Sequence, residues 1–481
     1  MKKFSLFLLF VILFSACSTF KQERSYFEKR IDSLLVSDFF QKSYISLKLV
    51  EPKKDSTLFS VNSQKLMRPA SNQKILTTAT ALYFLGNDYN FNTSLYYDGE
   101  IKDSILNGNF FVVGSFDPDF KVKDLDSFVI AIKNSGIKKI NGTLYADISK
   151  SDSLYFGNGW IWSDEPETYM PYLSQLAINK NSLTIIYEPD SINKPVKITF
   201  NPKNNFIALI NNSTTIEKGK STFEISRDWL NHNNKIIAKG NLPFSYKKDS
   251  VEVSIREPYL YFLQLLKEKL ISAGIELNGL TDTNKISSKA KFLTSVKRNI
   301  VPVIKYTNKV SDNLNAEMLL RAVAGIKFQK QSAENGKFFV DSLITLSGAN
   351  PKDYRISDGS GLSYYNLISA DLLTKILTFI KKQKEPFPTI FINSLPIGGI
   401  DGTLSNRFKN STAKGHVFAK TGSISGVSSL SGYIETKRKN FLVFSILIQN
   451  FVGSSKQARD IQDKICEIIY EELWKHIKKL K

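Results

Sequence analysis

Hydrophobic and polar positions fall into distinct textures along the chain. Over residues 70–85, ASNQKILTTATALYFL, apolar and small residues run almost unbroken between Pro69 and Gly86, which predicts a buried helix. Phe27, Ile31, Leu34 and Leu35 recur at helical spacing and predict a first helix within 18–45, after a tether. Residues 44–50 read as a strand and 51–57 as a polar turn. From about 88 to 285 the texture changes to short alternating runs (110–114, 143–148, 183–187, 196–200, 206–210, 251–255) separated by Asn, Gly, Asp and Ser. Such runs predict strands and turns, with one helix near 258–273. Helices return at 315–326 and 334–346, then strands at 416–421, 427–434 and 441–450. A last amphipathic helix carries Ile461, Ile465, Ile468, Ile469, Leu473 and Ile477 on one face. No fixed-period repeat is visible. The pattern predicts a mixed α/β unit split by a long β-rich insertion.

The N-terminus has its own pattern. Lys2 and Lys3 precede an apolar run from Phe4 to Phe14, which is the layout of a secretory signal over residues 1–16 and is short for a membrane span. Phe14-Ser15-Ala16-Cys17 resembles a bacterial lipobox, with Phe14 where Leu is usual, so Cys17 is expected to become the lipidated N-terminus. Cys466, the other cysteine of the chain, then has no partner for an intrachain disulfide.

Composition adds limits. The 481 residues are 42% hydrophobic and 23% charged, ordinary for two or three globular domains. Two cysteines exclude a disulfide-stapled scaffold, and no Cys/His cluster suggests zinc. With His232, His416 and His476 as the only histidines, catalysis must lean little on imidazole; His416, four residues before Lys420, reads as structural or surface. Loss of residues 1–16 lowers the formal charge from +20 to +18. An exported chain does not meet the chromosome, and no basic-aromatic module argues for nucleic acid. An anionic envelope polymer fits the charge better.

Three short motifs carry candidate chemistry. Ser71-Asn72-Gln73-Lys74 is an S-x-x-K at a predicted helix start, and its spacing puts hydroxyl and amine on one face. A serine needs an adjacent base, and lysine can serve if burial or a second cation lowers its pKa. The pattern alone is weak, since Ser18, Ser135, Ser245, Ser288 and Ser411 also open matches; an uncharged helix sets Ser71 apart. Ser311-Asp312-Asn313 precedes a helix face and reads equally as an N-cap. Lys420-Thr421-Gly422 sits between two strand runs, where a sheet edge could pair with a peptide and Lys420 could meet a carboxylate. Gly422 would let backbone approach.

In this order the three motifs form the signature set of class A β-lactamases and penicillin-binding proteins. The chain resembles the low-molecular-mass class C penicillin-binding proteins, the D-alanyl-D-alanine carboxypeptidase/endopeptidase family, over about residues 40–455. Further matching stretches are PASNQK at 69–74, GW-x-W-x-D at 159–164, TNKVSDNLNAE at 307–317, DGSGLS at 358–363, LPIGGIDGTL at 395–404 and AKTGSISGVSSLSGYI at 419–434. The long interval between Ser71 and Ser311 is this family's mark.

The resemblance implies an α/β (α+β) fold: an antiparallel sheet flanked by helices, with Ser71 at the start of a central buried helix. It implies a transpeptidase-like catalytic domain over 22–87 and 288–481, an inserted β-rich domain over 88–160 and 241–287, and a second domain nested at 161–240. Ser71 would attack the carbonyl between two D-alanines to give an acyl-enzyme, with Lys74 as base. Ser311 would relay a proton to the leaving amine, Asn313 would bind the substrate amide and hold Lys74, and Lys420 with Thr421 would bind the terminal carboxylate. Backbone N–H groups of Ser71 and Ser423 would form the oxyanion hole. Asp164 matches an acidic residue that holds the free amine of the stem-peptide diamino acid, and Ser425 lines the same subsite. Tyr364 stands where the family often has Arg, which implies a third-residue preference less strict for meso-diaminopimelate. Neither cofactor nor metal is implied. The expected partners are peptidoglycan stem peptides, β-lactams as acylating inhibitors, and a membrane reached through Cys17, on the periplasmic side and with the outer membrane favoured. Two other readings stay open: a serine β-lactamase or esterase on the same fold, which would turn β-lactams over rapidly, and a silent cell-wall binding protein, which would take no penicillin label.

Overall fold

A computed structural model describes residues 25–476. The expected leader at 1–16 and Cys17 lie outside the described residues. Among the described residues no helix is long and apolar enough to cross a membrane.

The two ends of the chain meet in one antiparallel sheet. Its strand order is Val417–Ile424, Val427–Glu435, Phe441–Gln449, Tyr44–Glu51, Ser56–Val61. The central strand explains why helices cover both faces. Successive side chains of a strand point to opposite faces. Accordingly Leu442, Phe444, Ile446 and Ile448 pack with Phe27, Ile31, Ile465 and Ile469 of the N- and C-terminal helices, Tyr26–Leu35 and Lys456–His476. Val443 and Leu447 point the other way, into a core shared with the helices Gln73–Leu85, Ile300–Val310, Asn313–Ala324, Ala333–Leu346 and Ala370–Lys382.

Gln73–Leu85 is the innermost of these helices, with every residue from Gln73 to Leu82 buried. That burial is why its sequence is apolar or small on all sides. Two of its threonines satisfy their hydroxyls on backbone carbonyls: Thr78 Oγ1 donates to Lys74 and Thr77 Oγ1 to Gly359, each at 2.6 Å. Gly86 ends it at φ 81°, ψ 165°, a backbone conformation that glycine adopts without a Cβ penalty. The first turn differs from a plain helix start. Ala70–Asn72 is a 3₁₀ turn and Ala70 lies at φ 46°.

Residues between Asn90 and Asn299 build four further sheets. Strand Asn90–Tyr97 pairs with Phe110–Val113 and with Lys291–Asn299, and a second core forms around the helices Leu125–Asn134 and Pro258–Ser272. Lys291–Asn299 therefore belongs to the inserted sheet, although the expected return to the catalytic unit stood at 288. Asp249–Ser254 pairs with Ser182–Glu188, joining a strand expected in the outer insertion to one expected in the nested one. Both differences arise because strand pairing joins segments distant in sequence, which local alternation does not reveal.

Candidate active site

Ser71 sits on the 3₁₀ turn, and Lys74 lies one turn on with 0% exposure. Lys74 Nζ lies 3.0 Å from Ser71 Oγ, 2.6 Å from Asn313 Oδ1 and 2.6 Å from the Ser360 carbonyl. Two N–H groups serve Asn313 and Ser360, and the third direction of the nitrogen faces the serine: the ammonium donates to Ser71 Oγ, and the neutral amine presents its lone pair there. Burial is the largest influence on Lys74 and lowers its pKa to about 8; the charges of Asp358, Asp312 and Glu317 oppose it and hold the value up.

The S-D-N segment is a junction between two helices. Ser311 ends Ile300–Val310 at φ 65°, and Asp312 caps Asn313–Ala324 by accepting from the Asn315 amide at 2.8 Å. The N-cap reading and the site reading are thus both realised, at different residues. Asn313 uses Oδ1 for Lys74 and Nδ2 for the Tyr169 carbonyl at 2.7 Å.

Lys420 lies on Val417–Ile424, the edge strand of the main sheet. Its Nζ donates to Ser311 Oγ at 2.8 Å and to the Thr421 carbonyl at 2.9 Å. Burial first, and then the charge of Lys74, pushes its pKa well down. Thr421 Oγ1 donates to Thr403 Oγ1 at 2.8 Å, which ties the edge strand to the 395–404 stretch. Gly422 also has a packing role. A Cβ there would come within 2.2 Å of Ser429 Oγ, 2.7 Å of the Pro69 carbonyl and 2.9 Å of the Ser71 amide nitrogen. The glycine lets the strand close onto the turn that carries Ser71.

The DGSGLS loop sets the acceptor behind Lys74. Asp358 takes hydrogen bonds from the amides of Gly361 (2.9 Å) and Ser363 (2.8 Å), from Asn366 Nδ2 (2.7 Å) and from Trp160 Nε1 (2.9 Å). Glu317 Oε1 accepts from the amides of Gly359 and Ser360, each at 2.9 Å, and Arg321 pairs with Glu317 at 3.0 Å. Gly361, at φ 85°, packs where a Cβ would lie 1.9 Å from the Ala70 carbonyl. Together these bonds aim the Ser360 carbonyl at Lys74.

A cleft of about 550 Å³ opens over this machinery. Ser71, Ser311, Asn313, Asp164, Tyr364, Ser423 and Ser425 line it. Lys74 and Lys420 stand behind its wall, fully buried. Asp164 lies near Tyr169, whose phenol is pushed up to about 12 by burial first and then by the charge of Asp164. Arg68 lies 5.6 Å over the Tyr364 ring and donates from Nε to the Tyr364 carbonyl at 3.3 Å. His416 pairs with Glu435 at 3.2 Å and stacks on Tyr470; Cys466 is buried, and burial pushes its thiol well up.

Sequence patterns gave no sign of one charged group behind the S-D-N junction. Asn179, Lys180 and Asn181 all have positive φ (46°, 60°, 54°), and this loop of the inserted region sends Lys180 against Asp119, Asn315 and Asp312 (3.3 Å), with its Nζ 4.4 Å from the Tyr306 ring centroid. Only the tertiary fold brings it there. The three left-handed residues, two of them Asn, were the available hint.

The family model described as the D-Ala-D-Ala carboxypeptidase 3 (S13) family matches residues 27–471. The chain belongs to this family. As an S13 family member it is 27% identical over 454 residues to D-alanyl-D-alanine carboxypeptidase DacB of Haemophilus influenzae, covering 92% of this chain and 94% of that protein. It is 28% identical over 461 residues to the D-alanyl-D-alanine carboxypeptidase of Actinomadura sp. (strain R39), covering 90% and 82%. The crystal structure of penicillin binding protein 4 (dacB) from Haemophilus influenzae superposes with a TM-score of 0.81 at 26% identity, covering 92% of this chain and 99% of that one. The mixed α/β fold, with its antiparallel sheet flanked by helices and its long insertion, is therefore the fold of that S13 relative.

Proposed function

We propose that this S13 family member is a serine DD-peptidase that hydrolyses the D-Ala-D-Ala bond of peptidoglycan stem peptides, D-Ala-diamino acid cross-links, or both, through an acyl-enzyme on Ser71. The observation that carries the reading is the contact of Ser71 Oγ with a fully buried, pKa-lowered Lys74 whose other hydrogen bonds are met by Asn313 and Ser360. Lys74 takes the Ser71 proton as Oγ attacks the carbonyl. The amides of Ser71 and Ser423 face the developing oxyanion, and one such donor contributes about 3–4 kcal/mol to the transition state. Ser311, bonded to Lys420, passes a proton to the leaving amine. Water then releases the acyl group from Ser71. Lys420 and Thr421 receive the terminal carboxylate, and Asn313 Nδ2 exchanges the Tyr169 carbonyl for the substrate. Penicillins enter as acylating inhibitors, which favours the peptidase over a β-lactamase if the adduct is long-lived.

Asp164, Tyr169, Tyr364 and Ser425 form the diamino-acid end of the cleft in this reading, with Asp164 holding the free amine. Tyr364 in place of a cation relaxes the demand for a second carboxylate, so lysine and diaminopimelate stem peptides are both hydrolysed. Release of D-alanine from the two pentapeptides tests this. Comparable rates support it, and strict dependence on diaminopimelate overturns it.

The same reading assigns 1–16 to a signal peptide and Cys17 to a lipid anchor on the periplasmic side of a bacterial membrane, the outer membrane first. It divides the rest into a catalytic domain and two inserted domains. The anchor is tested by mass spectrometry of the mature N-terminus; an unmodified Cys17 excludes it.

A further inference from the structure

A second hollow of about 440 Å³ adjoins the catalytic cleft. The 3₁₀ turn Trp162–Asp164 divides the two: Ser163 and Asp164 face the cleft, while Trp162 and Glu165 face the hollow. Trp160 and Met170 line both, so whatever fills the cleft continues into the hollow without leaving the surface. The hollow is walled by aromatic rings. Trp160 is fixed by its bond to Asp358, and Phe156 lies 4.6 Å from Tyr172 between ring centroids. Trp162 is 70% exposed at the rim and rests on Trp229 at 5.4 Å. The floor is rigid: buried Arg227 donates to Glu165 at 2.7 Å, Tyr172 donates to Glu165 as well, and Arg227 lies over the Tyr172 ring. Arg256 and His232 supply polar groups at the edge, joined through Arg256 Nη1 and the His232 carbonyl.

We propose that this hollow binds a sugar ring of the peptidoglycan glycan strand while the attached stem peptide occupies the cleft. The inference rests on the DD-peptidase reading and deepens it. An N-acetylated hexosamine presents an apolar C–H face that stacks on indole, and hydroxyl and acetamido groups around its edge that suit Arg256 and His232. A preformed aromatic pocket of this size, with few polar groups, fits one ring and is too small for a folded partner. An exposed tryptophan on a second tryptophan is otherwise a cost in water. Two peptide residues between the sugar and the diamino acid span about 7 Å when extended, enough to cross the single turn between the hollows.

The test compares wild type with Trp162→Ala on three readouts. In D-alanine release, wild type should favour a disaccharide-pentapeptide over the same pentapeptide without sugars, and Trp162→Ala should lose about fivefold in kcat/KM on the sugar-bearing substrate only. Acylation by penicillin should not change, which keeps the fold and the catalytic residues out of the result. Titration of tryptophan fluorescence with the peptide-free disaccharide reads the hollow without catalysis. Wild type should bind and Trp162→Ala should bind about fivefold more weakly. Equal loss on both pentapeptides, no disaccharide binding by wild type, or a loss confined to a sugar-free cross-linked dimer (a second stem peptide in the hollow) overturns the proposal. If wild type takes no penicillin, the DD-peptidase reading fails, and the fluorescence titration still decides the sugar site.

Discussion

The main sheet with its helices and the inserted region bury different things. Around the sheet, Lys74, Glu317, Arg321, Asp358 and Lys420 are all at most 1% exposed beneath the cleft; the first four share one hydrogen-bonded network through Ser360, and Lys420 is bonded to Ser311. In the inserted region, the core around Phe110, Phe120, Phe128 and Phe262 is hydrocarbon. Buried charge is costly unless it is paired and hydrogen-bonded. The inserted region also buries charge, but as separate pairs such as Arg227 with Glu165; around the sheet five such groups converge beneath one cleft, which marks where chemistry is done. The inserted region shapes the surroundings and supplies walls of the cleft such as Trp160 and Asp164.

That contrast yields mutations with opposite signatures. Lys74→Ala removes the base and should slow acylation by penicillin roughly a thousandfold. Thermal unfolding of the same variant should stay cooperative, because an unfavourable buried amine is lost. Phe262→Ala should do the reverse. Phe262 is fully buried, with Phe120 at 4.9 Å, and its truncation should cost about 3–5 kcal/mol in denaturant unfolding. The acylation rate per folded molecule should stay within about twofold, as nothing at the site changes. A large fall in that rate would erase the contrast.

Acidity sharpens it further. With Lys74 near pKa 8, acylation should fall about tenfold per pH unit below that value and level off above it. Stability shifts the same way. Folded Lys74 sheds its proton near pH 8, whereas the unfolded chain keeps it to about 10.5. The folded state binds fewer protons in that window, so the Lys74 contribution to stability rises with pH from 8 to 10.5. A pH-independent acylation rate between 6 and 9 would remove Lys74 as the base.

Lys180 is where the two regions meet, since it comes from the inserted region and holds Asp312 of the S-D-N junction. Lys180→Met should slow acylation about tenfold with little change in substrate KM, and Lys180→Arg should recover most of the rate. Stopped-flow acylation measures both. No effect would leave the inserted region as wall alone.

The same contrast explains what could be read from the chain. Helix Gln73–Leu85, the strand Phe441–Gln449 and the three motifs are local signals, and the folded chain brings Ser71, Lys74, Ser311, Asn313 and Lys420 together. Helix Ile300–Val310 was hidden by β-branched residues and Pro302, which the first helical turn tolerates. Ala370–Lys382 does carry a helical signal, with Leu372, Leu373, Ile376, Leu377 and Ile380 behind Ser369, whose hydroxyl caps it. The Ser360 carbonyl has no side-chain identity to read. Lys180 looks like any surface lysine until the fold turns its loop onto Asp312.

The central claim is that Ser71, activated by Lys74, forms the acyl-enzyme. Intact-mass and peptide-map analysis after incubation with benzylpenicillin tests it most directly. The expected result is one long-lived adduct on the peptide carrying Ser71, absent in Ser71→Ala. An adduct on another residue, or no adduct on well-folded wild-type protein, would contradict it.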